Sequence, residues 1–417
     1  MVINIPPPSI DPVDKVPPTY GGPVPIVVIR KVGDYAEVRN VETNTILTYS
    51  LNHTSVFQKA FDSLEDGGLI LVKQGSYSIE TIELTNHKFI TLQGTNRWAT
   101  KLVAKNNTKP IIKIDGQDPY NRQASEIVIR DIMFKGASNP QSGHHLLELR
   151  NTHEIYVDNV LFEGGYRGIY MKEVTRIHLS KIWCYAPYAN GIYVDTGTVL
   201  ADQLWMDDIQ VTDAPNARGV YIKDFDSYRI TRAYITGTID AIRIVKTDSG
   251  VKDCIGWIAN VDVDLNSGSG IFIDGQGGVI KKVAITDAWI AGSGGYGLHI
   301  YNAKYITVLG GWFAASSQHG VFVKDSEEVS IVNARIYNNG QGYAGERDGV
   351  MIYNSRKVKV IGCMIFDDQP TPTQRYGVRE EGGSDYNLIL GNTFFGNISG
   401  DLSISGTNTV IANNIST

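Results

Sequence analysis

The chain holds only three cysteines in 417 residues, Cys184, Cys254 and Cys363. They are odd in number, far apart and at no metal-ligand spacing, so neither a disulfide framework nor a thiolate metal centre organises the fold. No apolar run is long enough for a membrane-spanning helix. No Lys/Arg run stands out, and the formal charge is −6, so nucleic acid is not an expected partner. The opening MVINIPPPSIDPVDKVPP lacks the basic start and apolar stretch of a secretory signal. The expected location is a virion or extracellular surface reached without a signal of its own, or the cytoplasm for a free enzyme. No motif calls for a metal, and no cofactor is expected.

What is abundant is glycine, at 43 residues, and tyrosine, at 22, within an apolar fraction of 42%. Together with recurring Asn and β-branched residues this favours short strands broken by tight turns. Residues 1–25 carry eight prolines and read as an extended arm or tether that forms neither helix nor central strand. The alternation in PIVVIRKVGDYAEVRNVETNTILTYS predicts short strands. A helix follows, capped by Thr54 or Ser55, with Val56, Phe57, Ala60, Phe61 and Leu64 on one face and Gly67-Gly68 stopping it. The expected divisions are the arm at 1–25, N-terminal strands and capping helix at 26–66, and one repeat array at 67–417.

A glycine followed by an alternating strand recurs at Gly168, Gly191, Gly219, Gly270, Gly297, Gly320 and Gly349, with Ala241 in the same place. The steps are 23, 28, 22, 29, 27, 23 and 29 residues. This near-constant period marks a solenoid. Within 297–319, GLHIYN, YITVLG and GWFAAS read as three strands, and nothing there has helical periodicity. The fold expected is all-β: a right-handed parallel β-helix with three-strand coils. Alternation places Ile169/Met171, Ile192/Val194, Val220/Ile222, Ile242/Ile244, Ile271/Ile273, Leu298/Ile300, Val321/Val323 and Val350/Ile352 in the core, and their neighbours outside. In the third strand, residues such as Phe134, Phe162, Cys184, Phe313 and Phe394 align inward.

Thr54 to Phe61, then Gly67-Gly68-Leu69-Ile70-Leu71-Val72 and Gly75-Ser76-Tyr77-Ser78-Ile79, resemble the N-terminal cap of the pectate-lyase-like superfamily, as in phage tailspikes and rhamnogalacturonase-type proteins. The resemblance covers roughly 350 residues once the coils are included. It implies polysaccharide binding or chemistry, and often a homotrimer. It supplies no catalytic motif. Asp207-Asp208, Arg243-Ile244-Val245-Lys246 and Gln318-His319-Gly320 occur in the wrong order for a polygalacturonase.

Three surfaces carry candidate residues. The outward column of the first strand, Tyr170, Tyr193, Tyr221, Arg243, Phe272, His299, Phe322 and Met351, forms a stripe of rings. From it and its edges, Tyr193, Tyr221, Arg243, Phe272, Asp274, His299 and Arg375 are the sugar-binding candidates, the alternative being that the stacked rings serve only the parallel sheet or subunit packing. The loops 338–348 and 367–375 lie on adjacent coils and gather acidic residues, as glycoside hydrolysis requires. Glu346, Asp348, Asp367, Asp368 and His319 are the catalytic candidates there. The third strand's outward Trp183, Tyr234, Trp289 and Trp312 form a row expected at a homo-oligomer interface, with Trp205 and Trp257 as the alternative row. The functional expectation is a tailspike-like protein that binds, and as a lyase or glycoside hydrolase cleaves, a polysaccharide, attached to a particle through residues 1–25. The alternatives are a non-enzymatic structural or receptor-binding spike subunit and a free carbohydrate-active enzyme.

Overall fold

The computed structural model describes residues 25–64, 67–118, 124–196, 201–247 and 253–417. The arm expected at 1–25 lies outside them except for Pro25, whose carbonyl accepts the Leu69 N–H at 2.9 Å. The alternating segment after it forms β1 (Ile26–Val32), β2 (Tyr35–Asn40) and β3 (Ile46–Ser50), paired antiparallel in chain order. β1 also pairs in parallel with β4 (Gly68–Val72), so the hairpin extends the first coil. Helix α1 (His53–Asp62) buries Val56, Phe57, Ala60 and Phe61.

Its N-cap is Asn52 rather than the expected Thr54 or Ser55. Asn52 stays in extended backbone and its side chain accepts the Ser55 N–H at 3.4 Å, while Thr54 and Ser55 are already helical. The helix ends on Ser63, ahead of Gly67-Gly68. Gly67, at φ 97°, instead makes the close approach to Phe89 just before β4. His53 fixes the helix to the strands. Its Nδ1 accepts the Ser78 N–H at 2.9 Å, so its Nε2 carries the proton and donates to the Asp34 carbonyl at 2.9 Å.

From Gly67 onward each coil contributes three strands in parallel register. The first strands stack into a 13-stranded sheet, and the second and third strands, with β1 to β3, make a 27-stranded sheet that wraps the remaining sides. In coil 297–319 the three are Leu298–Tyr301, Ala303–Leu309 and Trp312–Ala314. In several coils the second and third fuse, as in Thr152–Glu163. The aliphatic ladder is as the alternation requires: Ile169, Met171, Ile300 and Val323 are all fully buried, as are Phe134, Phe313 and Phe394 from the third strand.

The corner between the second and third strands has a fixed conformation. The residue three before each inward third-strand residue is left-handed in every described coil from Asp131 to Asn413. Asn159, Asp287 and Asn333 suit that region, and Gly310 and Gly362 require no Cβ. A Cβ on Gly310 would stand 2.6 Å from the Asp287 carboxylate one coil earlier. Polar side chains satisfy backbone groups between coils, serines at the corner between the first and second strands and Asn392 at this one. Ser355 Oγ accepts the Ser326 N–H, and Ser384 Oγ accepts the Ser355 N–H, each at 3.0 Å. Asn392 Oδ1 accepts the Cys363 N–H at 2.9 Å, while its Nδ2 donates to the Val360 carbonyl at 2.9 Å.

One inward position breaks the aliphatic ladder. Glu380 follows Ile352 in register and is 1% exposed. Burial raises its carboxyl above the usual range, opposed by hydrogen bonds from Thr409 and Asn387. A carboxyl raised in the folded state contributes its full stability below the unfolded value of about 4.3 and loses it as pH climbs through the folded value. Melting temperature is therefore expected to fall between pH 4.5 and 7.5 more steeply in the natural protein than in Glu380→Gln. Parallel profiles would show that this carboxyl is not perturbed.

Candidate functional site

The 13-stranded sheet sets the columns of the site. Tyr170, Tyr193, Tyr221, Arg243, Phe272, His299, Phe322 and Met351 are paired in direct register along its outer face. Their rings stack on one another. Tyr193 and Tyr221 lie 5.1 Å apart and nearly parallel, and Phe272 and His299 4.2 Å apart. Arg243 lies 4.7 Å over Phe272. Of the two expectations for the stripe, sugar contact and ring-on-ring stacking, this geometry shows the stacking. The faces are occupied by neighbouring rings at about the coil spacing of 4.8 Å. Sheet stacking is thus the role the geometry shows for Tyr193, Tyr221 and Phe272, and Tyr170 and Met351 are buried although they point outward.

Within the stripe a charged group is sunk into the same face. Arg243 donates to Asp274 at 2.6 Å and to Asp240 at 3.2 Å, and Arg218 reaches Asp240 at 3.4 Å. Asp274 is 2% and Asp240 6% exposed. Burial opposes the charge on Arg243, but the two carboxylates outweigh it and hold its pKa above the ordinary arginine value. Arg243 Nε and His299 Nε2 are buried and meet no partner among the described residues. His299 is neutral: burial first, then Lys324 and Arg243, push it down to about 3. Asp240 was not singled out from the sequence. It stands three residues before Arg243, at the same edge position as Ser269, Tyr296, His319 and Asp348 in the coils that follow, and this offset was the available signal.

The late loops meet as expected. The Arg375 N–H donates to the Arg347 carbonyl at 2.6 Å and the Gly345 N–H to the Thr373 carbonyl at 2.8 Å. They also join the first-strand face, because Tyr296 packs against His299, His319 and Phe322 at 4.7, 6.0 and 5.0 Å. The two candidate sites are one continuous surface. Their acidic residues are not equivalent, however. Asp348 is fully buried in a two-pronged pair with Arg375, at 2.9 and 2.8 Å. Burial raises its carboxyl, Arg375 opposes this, and Arg375 is itself raised by the pairing.

Asp367 is 2% exposed and accepts the backbone N–H groups of Gln369, Thr373 and Gln374 at 3.1, 2.7 and 2.8 Å. It staples its own loop. Asp368 accepts from Asn338 at 2.8 Å, and Glu346 stands in solvent. His319 Nδ1 accepts the Asp348 N–H at 2.9 Å, which leaves the proton on Nε2. Burial, then Arg347 and Arg375, lower its pKa to about 3. A histidine so poised donates a hydrogen bond and is a weak base at neutral pH.

The expected interface row is divided. Tyr234 and Trp289 are exposed, and Trp289 stacks on Trp312 at 4.6 Å. Trp183 is engaged within the chain, donating to Thr212 at 3.1 Å and meeting Trp98 edge-on at 5.8 Å. Among the described residues, no cluster of three or more His, Cys, Asp or Glu is placed to hold a metal ion, and no helix is long and apolar enough to cross a membrane.

A family model described as a right handed beta helix region matches residues 240–415. The chain is a right-handed parallel β-helix. Tailspike protein 3 of bacteriophage CBA120 shares the architecture at a TM-score of 0.69 and 16% identity, over 95% of this chain and 65% of its own length. The A-module of mannuronan C-5 epimerase AlgE4 from Azotobacter vinelandii matches at 0.57 and 13% identity, over 86% and 95%. That of AlgE6 matches at 0.51 and 15%, over 87% and 95%. No curated protein sequence matches the chain. At these identities the likeness is one of fold, and this β-helix agrees in that respect with the N-terminal cap resemblance.

Proposed function

We propose that this β-helix binds a polysaccharide along the outer face of its 13-stranded sheet, as a tailspike-like protein of a virion or extracellular surface. One observation carries the reading. A solvent-side face holds a part-buried Arg243 between two buried aspartates, and among the described residues Arg243 Nε and His299 Nε2 meet no partner. The Arg243 side chain keeps 21% of its surface exposed here, so its guanidinium can donate to the hydroxyls of a chain lying on the face. The fold shared with a tailspike and two polysaccharide epimerase modules supports the same class of ligand.

Cleavage, by lyase or hydrolase chemistry, is a further step that would draw first on Glu346 and Asp368, the carboxylates of the loop cluster not held in buried bonds. The non-enzymatic spike subunit is the alternative, with attachment through residues 1–25 in either case. A homotrimer packed partly through Tyr234, Trp289 and Trp312 completes the proposal. A light-scattering mass equal to one 45.9 kDa chain would remove that part.

The test is a polysaccharide panel read for binding, for new reducing ends and for the ultraviolet absorbance of an unsaturated sugar. Binding to at least one polymer is expected, weakened tenfold or more, about 1.4 kcal/mol, in the paired variant Arg243→Met, Asp274→Leu. Both product signals identify a lyase, reducing ends alone a hydrolase, and binding without either a spike. No binding to any polymer, with the natural host's surface polymer included, overturns the reading.

A further inference from the structure

A cleft at the corner ahead of the 13-stranded sheet is built from four successive coils. Ala137 and Pro140 stand on one, Gly164 and Gly165 on the next, Ala186 to Tyr188 on the third, and Asp213, Pro215 and Asn216 on the fourth. It encloses about 240 Å³. At Gly164, one of its lining residues, an added Cβ would meet nothing within 4 Å. The walls are preformed. Gly164 N–H bonds the Tyr185 carbonyl at 2.8 Å, and Ala186 N–H and Tyr188 N–H bond the Thr212 and Gly165 carbonyls at 2.9 Å each, and three prolines fix φ.

Tyr188 differs from the rings of the stripe. It is 59% exposed and has one tilted ring neighbour, Tyr166 at 5.8 Å, rather than a stack on both sides. The Asp213 carboxylate and Asn216 amide accept no hydrogen bond from any described residue, and Asp213 is the one charged residue of the lining.

We propose that this cleft is a binding subsite for one neutral hexopyranose unit of a glycan. A sugar ring offers an apolar C–H face, which matches the free Tyr188 ring and the proline walls, and neighbouring hydroxyls, which match a carboxylate that only accepts. A carboxylated sugar would meet Asp213 with like charge and no cation in the lining. The volume lies below the roughly 300–1,000 Å³ of pockets for whole ligands and suits a single unit of a longer chain. The ligand class rests on the polysaccharide reading, but the cleft shares no residue with the Arg243 group, so the two can fail separately.

The experiment is calorimetric titration of the full chain with maltotetraose, cellotetraose, mannotetraose and tetragalacturonate. At least one neutral tetraose is expected to bind. Tyr188→Ala, an exposed change whose folding a thermal melt confirms, should weaken it roughly tenfold. Asp213→Ala should weaken it as well. The proposal is overturned if no neutral tetraose binds at ~10 mM, if only tetragalacturonate binds, or if Tyr188→Ala changes nothing. Loss of polymer binding in the Arg243 variant beside an inert cleft would leave the polysaccharide reading standing alone.

Discussion

Asp274→Ala is expected to destabilise the protein by about 1–3 kcal/mol, because it removes the shorter ion pair of the part-buried Arg243. Asp240 remains, at 3.2 Å, but it is shared with Arg218. Replacing both members, as in Arg243→Met with Asp274→Leu, should cost far less. A well-packed apolar pair is often as stable as the buried ions it replaces. Denaturant midpoints of the two variants check this. A double variant that keeps its stability but no longer binds polymer would mean that the ions are there for the ligand and not for the fold. A double variant as unstable as Asp274→Ala would assign the group to the scaffold instead.

The second large effect is expected far from the site. Asn392 is fully buried, and Asn392→Ala leaves the Cys363 N–H and the Val360 carbonyl without their partner. Each unmet buried group costs about 1–3 kcal/mol, so a loss of about 2–6 kcal/mol is expected. Hydrogen exchange gives the local readout: the Cys363 amide should lose protection while amides of distant coils such as Ile169 keep theirs. Unchanged protection at Cys363 would show that water or a neighbour replaces the asparagine.

The coil ladder was legible because strand alternation reports burial directly. Ile192, Val194, Ile271 and Ile273 are all in the core. The corners were not, because left-handed backbone at Lys181 or Arg232 follows from the geometry of the coil and not from any preference of those long side chains. The serine ladder repeats at 29 residues, at Ser326, Ser355 and Ser384, but a serine at a turn is equally at home in solvent and so does not by itself report burial. The ring stripe lies where the alternation places it, and of its two expected uses the geometry shows the stacking. Sequence spacing gives which rings are neighbours and not how they turn, and here they turn face to face. The loop cluster was likewise gathered as expected, while the inward fate of Asp367 depends on N–H groups that its own loop folds back to present.

The uniform parallel register has an evolutionary consequence. Leu298 pairs with Ile271 below and Val321 above through the same kind of contact. Excising the 23 residues from Gly297 to His319 would therefore bring Ile271 against Val321 with a compatible surface on both sides. Whole coils can be gained or lost by duplication and deletion without inventing a new core. The binding face lengthens or shortens in the same events, so ligand length can drift in lineages whose fold stays constant.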